Sequence, residues 1–138
     1  MIKTLLAPVL LAAAFAAGCG DDPLSVQDIA GTYEATEFEF TPTGGSTIDI
    51  LAGGGSIDLT ISPSGTVTGQ LFVPAALNGG TDLNASMQGT VQLGGDRVSF
   101  TQTADTFFRD VNFSFDGGSL TGTHNDGDGQ LRVTLTRQ

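Results

Sequence analysis

The clearest structural signal in this sequence lies in residues 56–73, which read SIDLTISPSGTVTGQLFV. Apolar and polar residues alternate on both sides of the segment 62–65, and a period of two is typical of a β-strand with one buried face. Between the two runs, Pro63 fixes φ and Gly65 can take the left-handed conformation of a tight turn. The segment therefore predicts a β-hairpin whose two strands share one apolar face.

The same alternation continues in both directions along the chain. It begins after Gly31. Near Thr36 the apolar residues change from odd to even positions, and residues 48–51 form a brief extended piece. The change of parity predicts a β-bulge in the first strand. Ahead of that strand, Ser25 has the side chain of a helix N-cap and predicts a single helical turn. The later predicted strands are centred on residues 85–93, 98–100, 111–115, 120–122 and 131–135.

About eight strands of this kind, most of them joined by tight turns, predict an all-β domain. Successive hairpins favour a single antiparallel up-and-down barrel, because strands that are neighbours in sequence usually pair. Closure removes the free edges of the sheet, and an eight-stranded barrel is either filled by side chains or holds one small ligand. A two-sheet β-sandwich is the alternative architecture.

The balance of charge limits the partners of this chain. Residues 19–138 contain all 15 acidic residues but only four of the five basic ones, which gives this part a net charge of −11. Nucleic acids and anionic lipid headgroups would be repelled, since binding to them needs clustered Lys and Arg. We therefore expect no nucleic-acid partner and no membrane contact through the domain surface.

The N-terminal segment has the features of a signal peptide. Lys3 is followed by an apolar run at 5–17, which is too short to span a bilayer, and this run ends in Ala16-Ala17-Gly18-Cys19. These four residues resemble the lipobox of bacterial lipoproteins, with Ala16 where the usual pattern has Leu. The resemblance implies that Cys19 is lipidated and becomes the first residue of the mature protein. The alternative is ordinary cleavage near Ala17, which would leave Cys19 as a free thiol in a secreted protein.

This resemblance implies the organisation and location of the protein. We predict a signal peptide at 1–18, a lipidated tether at 19–27 and a barrel domain at 28–138. The acyl chains on Cys19 would make the membrane the partner of the chain, and two or more acyl chains anchor a protein firmly. In this family an Asp after the cysteine favours the inner membrane. Gly20 stands there instead, so we expect the outer membrane in a cell that has one.

Residues in the first and last strands of the predicted barrel resemble the lipocalin family. Lipocalin-like barrels begin with a short helical turn and a Gly-x-Trp motif, and here Gly31-Thr32-Tyr33 occupies that place with Tyr instead of Trp. In the family an Arg of the last strand packs across the aromatic ring, and Arg137 lies on the last predicted strand. The resemblance implies a barrel base formed by Gly31, Tyr33 and Arg137, and binding of an apolar small molecule.

Two sets of residues are candidates for contact with such a ligand. Three glycines on the predicted inward face would either leave space for the ligand or permit strong strand bending. They are Gly69, Gly89 and Gly122. Three phenylalanines at strand ends would either line the barrel mouth or fold over the core. They are Phe72, Phe107 and Phe108.

The sequence holds no convincing catalytic or metal-binding motif. His124 is the only histidine, and the acidic turn after it lacks the spacing of an EF-hand calcium loop. No Ser stands in a Gly-x-Ser-x-Gly context. We therefore predict no enzyme activity, no cofactor and no metal, but a lipid-anchored envelope protein with capacity for a small hydrophobic ligand. The alternative is a structural or assembly lipoprotein with a filled barrel that acts through protein contacts.

Overall fold

The computed structural model of this protein describes residues 23–102 and 106–138. In this part of the chain one short helix, α1, spans Val26–Ile29 and precedes nine β-strands. The strands are β1 Gly31–Pro42, β2 Ile48–Asp49, β3 Ser56–Ile61, β4 Thr66–Val73, β5 Leu83–Gly94, β6 Arg97–Gln102, β7 Asn112–Asp116, β8 Ser119–Asp126 and β9 Gly129–Arg137. Short 3₁₀ turns lie at Ala75–Leu77 and Phe107–Asp110.

The strands form one closed antiparallel sheet. β1 pairs with β3, each strand from β3 to β8 pairs with the next one in sequence, and β9 returns to pair with β1. The two-residue strand β2 pairs only with β1, beside Glu39 and Phe40, so the barrel wall in the described residues consists of eight strands. This confirms the predicted all-β up-and-down barrel and excludes the two-sheet sandwich.

The predicted bulge lies in β1. The register of β1 against β9 shifts between Ala35 and Glu37, so that Thr36 is the extra residue of the strand. The shift lets both Tyr33 and Phe38 point into the barrel, where they are at most 1% exposed, although five positions separate them. The change of sequence parity near Thr36 thus has a direct structural cause.

The apolar face of the strands points into the barrel. Leu59, Phe113 and Val133 are at most 1% exposed, whereas Thr68 and Thr121 on the opposite face are exposed to solvent. This is the burial pattern that the alternation with a period of two predicted, and it places the hydrophobic core inside the barrel.

The barrel has two different ends. One end, which we call the base, carries α1 and the tight turns at 62–65, 95–96 and 117–118. The other end, which we call the mouth, carries the loops at 43–47, 50–55 and 74–82, the 3₁₀ turn Phe107–Asp110 and the turn at 127–128. The longer connections therefore all cross the mouth.

Helix α1 covers the base. Ser25 is its N-cap, as predicted, and forms a capping box with Asp28. The Ser25 hydroxyl and backbone N–H donate to the Asp28 carboxylate at 2.7 and 2.8 Å, and these bonds hold the pKa of Asp28 below its usual value of 3.8. Ile29 is completely buried and Leu24 packs against the core. Leu24 and Ile29 thus attach this helical turn to the core of the barrel.

The predictions for the N-terminal segment fall outside the described residues. They concern the signal peptide at 1–18, the lipidation of Cys19 and residues 19–22 of the tether. Within the described ranges, the structure contains no helix with the length and apolar character needed to cross a membrane.

Candidate functional site

A cavity of about 240 Å³ opens at the mouth of the barrel. Among the described residues, one amide side chain, that of Asn78, and nine apolar side chains line it. The apolar lining residues are Phe38, Phe40, Ile48, Ile50, Val73, Leu77, Leu83, Phe107 and Leu131. Such a lining suits an apolar ligand, and the amide of Asn78 is available to orient it.

Strands and loops contribute to this lining for different reasons. Phe40, Val73 and Leu131 are inward residues near the mouth ends of β1, β4 and β9, and strand alternation alone directs them into the barrel. Ile50 and Leu77 come from the loops that cross the mouth. The cavity therefore lies where the regular wall ends and the loops begin.

An aromatic cluster lies beside the cavity, formed by the 3₁₀ turn Phe107–Asp110 and strands β6 and β7. The ring of Phe38 lies 5.9 Å from that of Phe107, which is 6.2 Å from that of Phe108. Phe108, Phe100 and Phe113 form a triangle with ring centres 5.1 to 5.4 Å apart. Phe107 thus belongs both to the cavity lining and to this cluster, which packs against one side of the cavity.

Two apolar side chains at the rim of the cavity are exposed to solvent. Ile48 is 38% exposed and Leu77 is 36% exposed, and they are the exposed large hydrophobic residues of the part described. Leu77 packs over Gly53, where an added Cβ would overlap the Leu77 side chain. Exposed apolar groups around an apolar cavity are typical of a binding site.

The loop that carries Leu77 has a defined shape. The carboxylate of Asp82 accepts a 2.7 Å hydrogen bond from the backbone N–H of Ala75. Asn78 Nδ2 donates to the carbonyl oxygen of Thr81 at 2.9 Å. These bonds fix this side of the cavity without a ligand, which lowers the entropy cost of binding.

The three candidate phenylalanines lie in three different environments. Phe107 lines the cavity. Phe108 is completely buried in the aromatic cluster and belongs to the core. Phe72 lies on the outer face of β4, because its neighbours Leu71 and Val73 are the inward residues of that strand. Of the three, the structure brings only Phe107 to the cavity.

The three candidate glycines have no open space beside them. At Gly69 and Gly89, an added Cβ would overlap the backbone carbonyl oxygens of Asp58 and Thr101 in the neighbouring strands. At Gly122 it would overlap a neighbouring valine side chain. None of the three lines the cavity at the mouth, and their surroundings agree with strand bending and close strand approach.

At the base, Tyr33 and Arg137 are in direct contact. Tyr33 is completely buried, and its hydroxyl donates a 2.6 Å hydrogen bond to the carbonyl oxygen of Ile29 in α1. Arg137 Nη2 donates to the Tyr33 hydroxyl at 3.0 Å. The Arg137 side chain also crosses Gly31, where φ is +149° and an added Cβ would lie 3.1 Å from Arg137 Nε. Gly31, Tyr33 and Arg137 thus form one cluster at the base.

A second cleft, of about 190 Å³, lies on the outside of the barrel where β1 and β3 separate. Its lining includes the carboxylates of Glu34 and Asp58, which are partners across these two strands. In the ranges that the structure describes, no three His, Cys, Asp or Glu side chains form a group that could hold a metal ion. The apolar cavity at the mouth is therefore the stronger candidate for a functional site.

No protein-family model matches this chain, and no curated protein matches it at a significant level. The resemblances to lipoproteins and to lipocalins thus gain no support from these comparisons.

Proposed function

We propose that this protein binds a small apolar ligand at the mouth of its barrel, as a lipid-anchored and non-enzymatic protein of the cell envelope. The observation that carries the proposal is the cavity of about 240 Å³ with its nine apolar lining residues. Burial of apolar ligand surface against such a lining is favourable by roughly 25 cal/mol per Å². The exposed side chains of Ile48 and Leu77 support the same function, because a ligand would cover them.

The size of the cavity limits the ligand. An apolar cavity of ~150 Å³ accepts benzene, whereas sites for drug-sized molecules begin at ~300 Å³. The volume here, about 240 Å³, lies between these two values. We therefore expect a single ring or a single aliphatic chain, part of which remains in solvent.

The lipid anchor is proposed from the sequence Ala16-Ala17-Gly18-Cys19. The described chain begins at Pro23, close to α1 and the base. Four residues reach at most roughly 14 Å, so a lipid on Cys19 would keep the base near the membrane. The mouth, at the opposite end of the barrel, would then open away from that membrane.

Native mass spectrometry of protein purified from its own membrane tests the ligand. We expect a small apolar molecule to co-purify with the wild type and to be lost from the double variant Ile48→Ala/Leu77→Ala. Both side chains are more than one-third exposed, at 38% and 36%, so the variant should keep its fold. Thr68→Ala, on the outer face of β4, is the matched control and should retain the molecule. Equal retention by the double variant would contradict binding at the mouth.

Fractionation of cells that express Cys19→Ala tests the anchor. The variant should move to the soluble fraction, and the intact mass of the wild type should lack residues 1–18 and include acyl chains. A free thiol at Cys19 in membrane-bound protein would contradict the lipid anchor.

The second candidate is a structural or assembly lipoprotein that acts through protein contacts. The aromatic cluster of Phe100, Phe108 and Phe113 favours it, because a filled barrel has no deep cavity for a carried molecule. This function predicts that the wild type carries no small molecule. It also predicts that a photo-crosslinker at Ile48 or Leu77 captures another protein.

A further inference from the structure

We infer that the ligand of the mouth carries a positive charge beside its apolar part, as an alkylammonium ion does. This inference rests on the proposed function, because it names the chemical class that the same cavity would take. It follows from the distribution of charge around the cavity.

Acidic residues are concentrated at the mouth. Its loops, turns and strand ends carry five exposed aspartates and, among the described residues, one arginine, Arg109. The five are Asp49, Asp82, Asp110, Asp126 and Asp128. The base carries three acidic residues and two arginines, namely Asp28, Asp96, Asp116, Arg97 and Arg137. Within the described ranges the mouth therefore has a net charge of −4 and the base a net charge of −1.

Four of these aspartates are close in sequence to residues that line the cavity. Asp49 lies between the lining residues Ile48 and Ile50, and Asp82 directly precedes the lining residue Leu83. Asp110 and Asp128 are each three positions from a lining residue, Phe107 and Leu131 respectively. The segments that supply the apolar lining thus also carry these aspartates, which we call the acidic rim.

Two of the carboxylates are held in position by the backbone. Asp82 accepts the 2.7 Å hydrogen bond from Ala75 N–H, and Asp49 accepts a 3.0 Å hydrogen bond from Ala52 N–H. Neither donor is charged, so neither bond neutralises the carboxylate. The rim therefore presents fixed negative charge next to the opening.

The lining and the rim recognise different parts of a ligand. The lining accepts an apolar chain or ring whatever group is attached to it. A cleft edged by one sign of charge raises the local concentration of the opposite sign and repels the same sign. An alkylammonium ion could bury its chain and keep its ammonium group hydrated at the rim. A fatty-acid carboxylate of the same length would meet repulsion from the aspartates.

Three ligands with the same eight-carbon chain test this selectivity. Octylammonium, octanol and octanoate would be titrated into the full-length wild-type protein at pH 7 and low salt, with affinities measured by calorimetry. We expect octylammonium to bind at least ~tenfold more tightly than octanoate, with octanol between them. The difference should shrink in 0.5 M salt, since salt screens exposed charges. NMR shift changes should locate octylammonium at the mouth.

A pair of double variants separates the rim from the overall charge of the protein. Asp110→Asn/Asp128→Asn removes two negative charges from the mouth and should reduce the preference for octylammonium severalfold. Asp96→Asn/Asp116→Asn removes the same charge from the base and should leave the preference unchanged. An equal effect of the two double variants would overturn the inference, because net charge would then explain the selectivity.

The remaining outcomes distinguish the inference from the function on which it rests. If octanoate binds at the mouth as tightly as octylammonium, the inference is wrong and the apolar binding function stands. If none of the three ligands binds at the mouth, both the inference and the proposed binding function are contradicted.

Discussion

Arg137 lies across the buried ring of Tyr33 and connects four elements of the base. Its Cζ atom is 5.5 Å from the centre of the Tyr33 ring and 5.3 Å from the centre of the Phe115 ring in β7. Its Nη2 atom donates to the Tyr33 hydroxyl and to the carbonyl oxygen of Asp28 in α1. One side chain thus joins β9 to β1, β7 and the helix.

A double-mutant cycle measures this connection. Tyr33→Phe should lower the free energy of unfolding by ~1–3 kcal/mol, because the carbonyl oxygen of Ile29 and Nη2 of Arg137 lose their hydrogen bonds to the Tyr33 hydroxyl. Combined with Arg137→Met, the total loss should be smaller than the sum of the single losses by ~0.5 kcal/mol or more. Urea denaturation gives all four values. Arg132→Met, on the outer face of β9, is the control and should be additive with Tyr33→Phe.

Shortening a side chain of the aromatic cluster should lower the stability of the barrel far more than shortening a side chain on its outer face. Phe113 is completely buried and its ring contacts those of Phe100 and Phe108. Phe113→Ala should cost ~3–5 kcal/mol of stability, through lost contacts and a cavity. Thr68→Ala should cost less than ~1 kcal/mol, because Thr68 is exposed. Similar losses in chemical denaturation would show that the inward and outward faces are assigned the wrong way round.

The two glycines of β5 should respond differently to an added methyl group. At Gly89, a Cβ would overlap the carbonyl oxygen of Thr101, whereas at Gly94 it meets nothing within 4 Å. Gly89→Ala should therefore destabilise the barrel by ~1–3 kcal/mol, since β5 and β6 must move apart. Gly94→Ala should change the stability by less than ~0.5 kcal/mol. A tolerated alanine at Gly89, with an unchanged melting temperature, would contradict the close approach of these strands.

The capping box at α1 should make stability depend on pH. The pKa of Asp28 lies below its usual value because the Ser25 hydroxyl and N–H donate to its carboxylate. A lowered pKa in the folded state stabilises the protein above the unfolded pKa of ~3.9 and loses this effect as the pH falls through the folded value. Asp28→Asn should therefore lower the melting temperature at pH 7. Below about pH 4 the melting temperatures of the variant and the wild type should become more similar. A difference that stays constant down to pH 2 would contradict the effect.

The barrel could be predicted because its signal is local. In β3 the alternation of Ile57 and Leu59 with Asp58 identifies a strand and its buried face without any knowledge of the partner strand. The bulge at Thr36 could be read in the same way, from a change of parity within one strand. Closure of the sheet followed from the number and order of the strands.

The part of the cavity wall that lies outside the barrel strands could not be predicted, because its segments lack a regular alternation of apolar and polar residues. Ile48, Leu77 and Phe107 belong to three separate connections and meet only when the barrel has closed. Position at a strand end was also a poor guide to orientation. Strand alternation turns Phe72 outward, and the 3₁₀ turn directs Phe108 into the core.

The pairing of β1 with β9 has a consequence for how this chain folds. The two partners Tyr33 and Arg137 are separated by 104 positions in the sequence. Contacts of such high sequence separation form slowly, because a long loop must lose its freedom first. Until β9 has joined, β1 and β8 each expose an unpaired edge that can bind strands of other chains. We therefore expect ring closure to limit the folding rate, and a chain that lacks β9 to aggregate rather than persist as a weakened monomer.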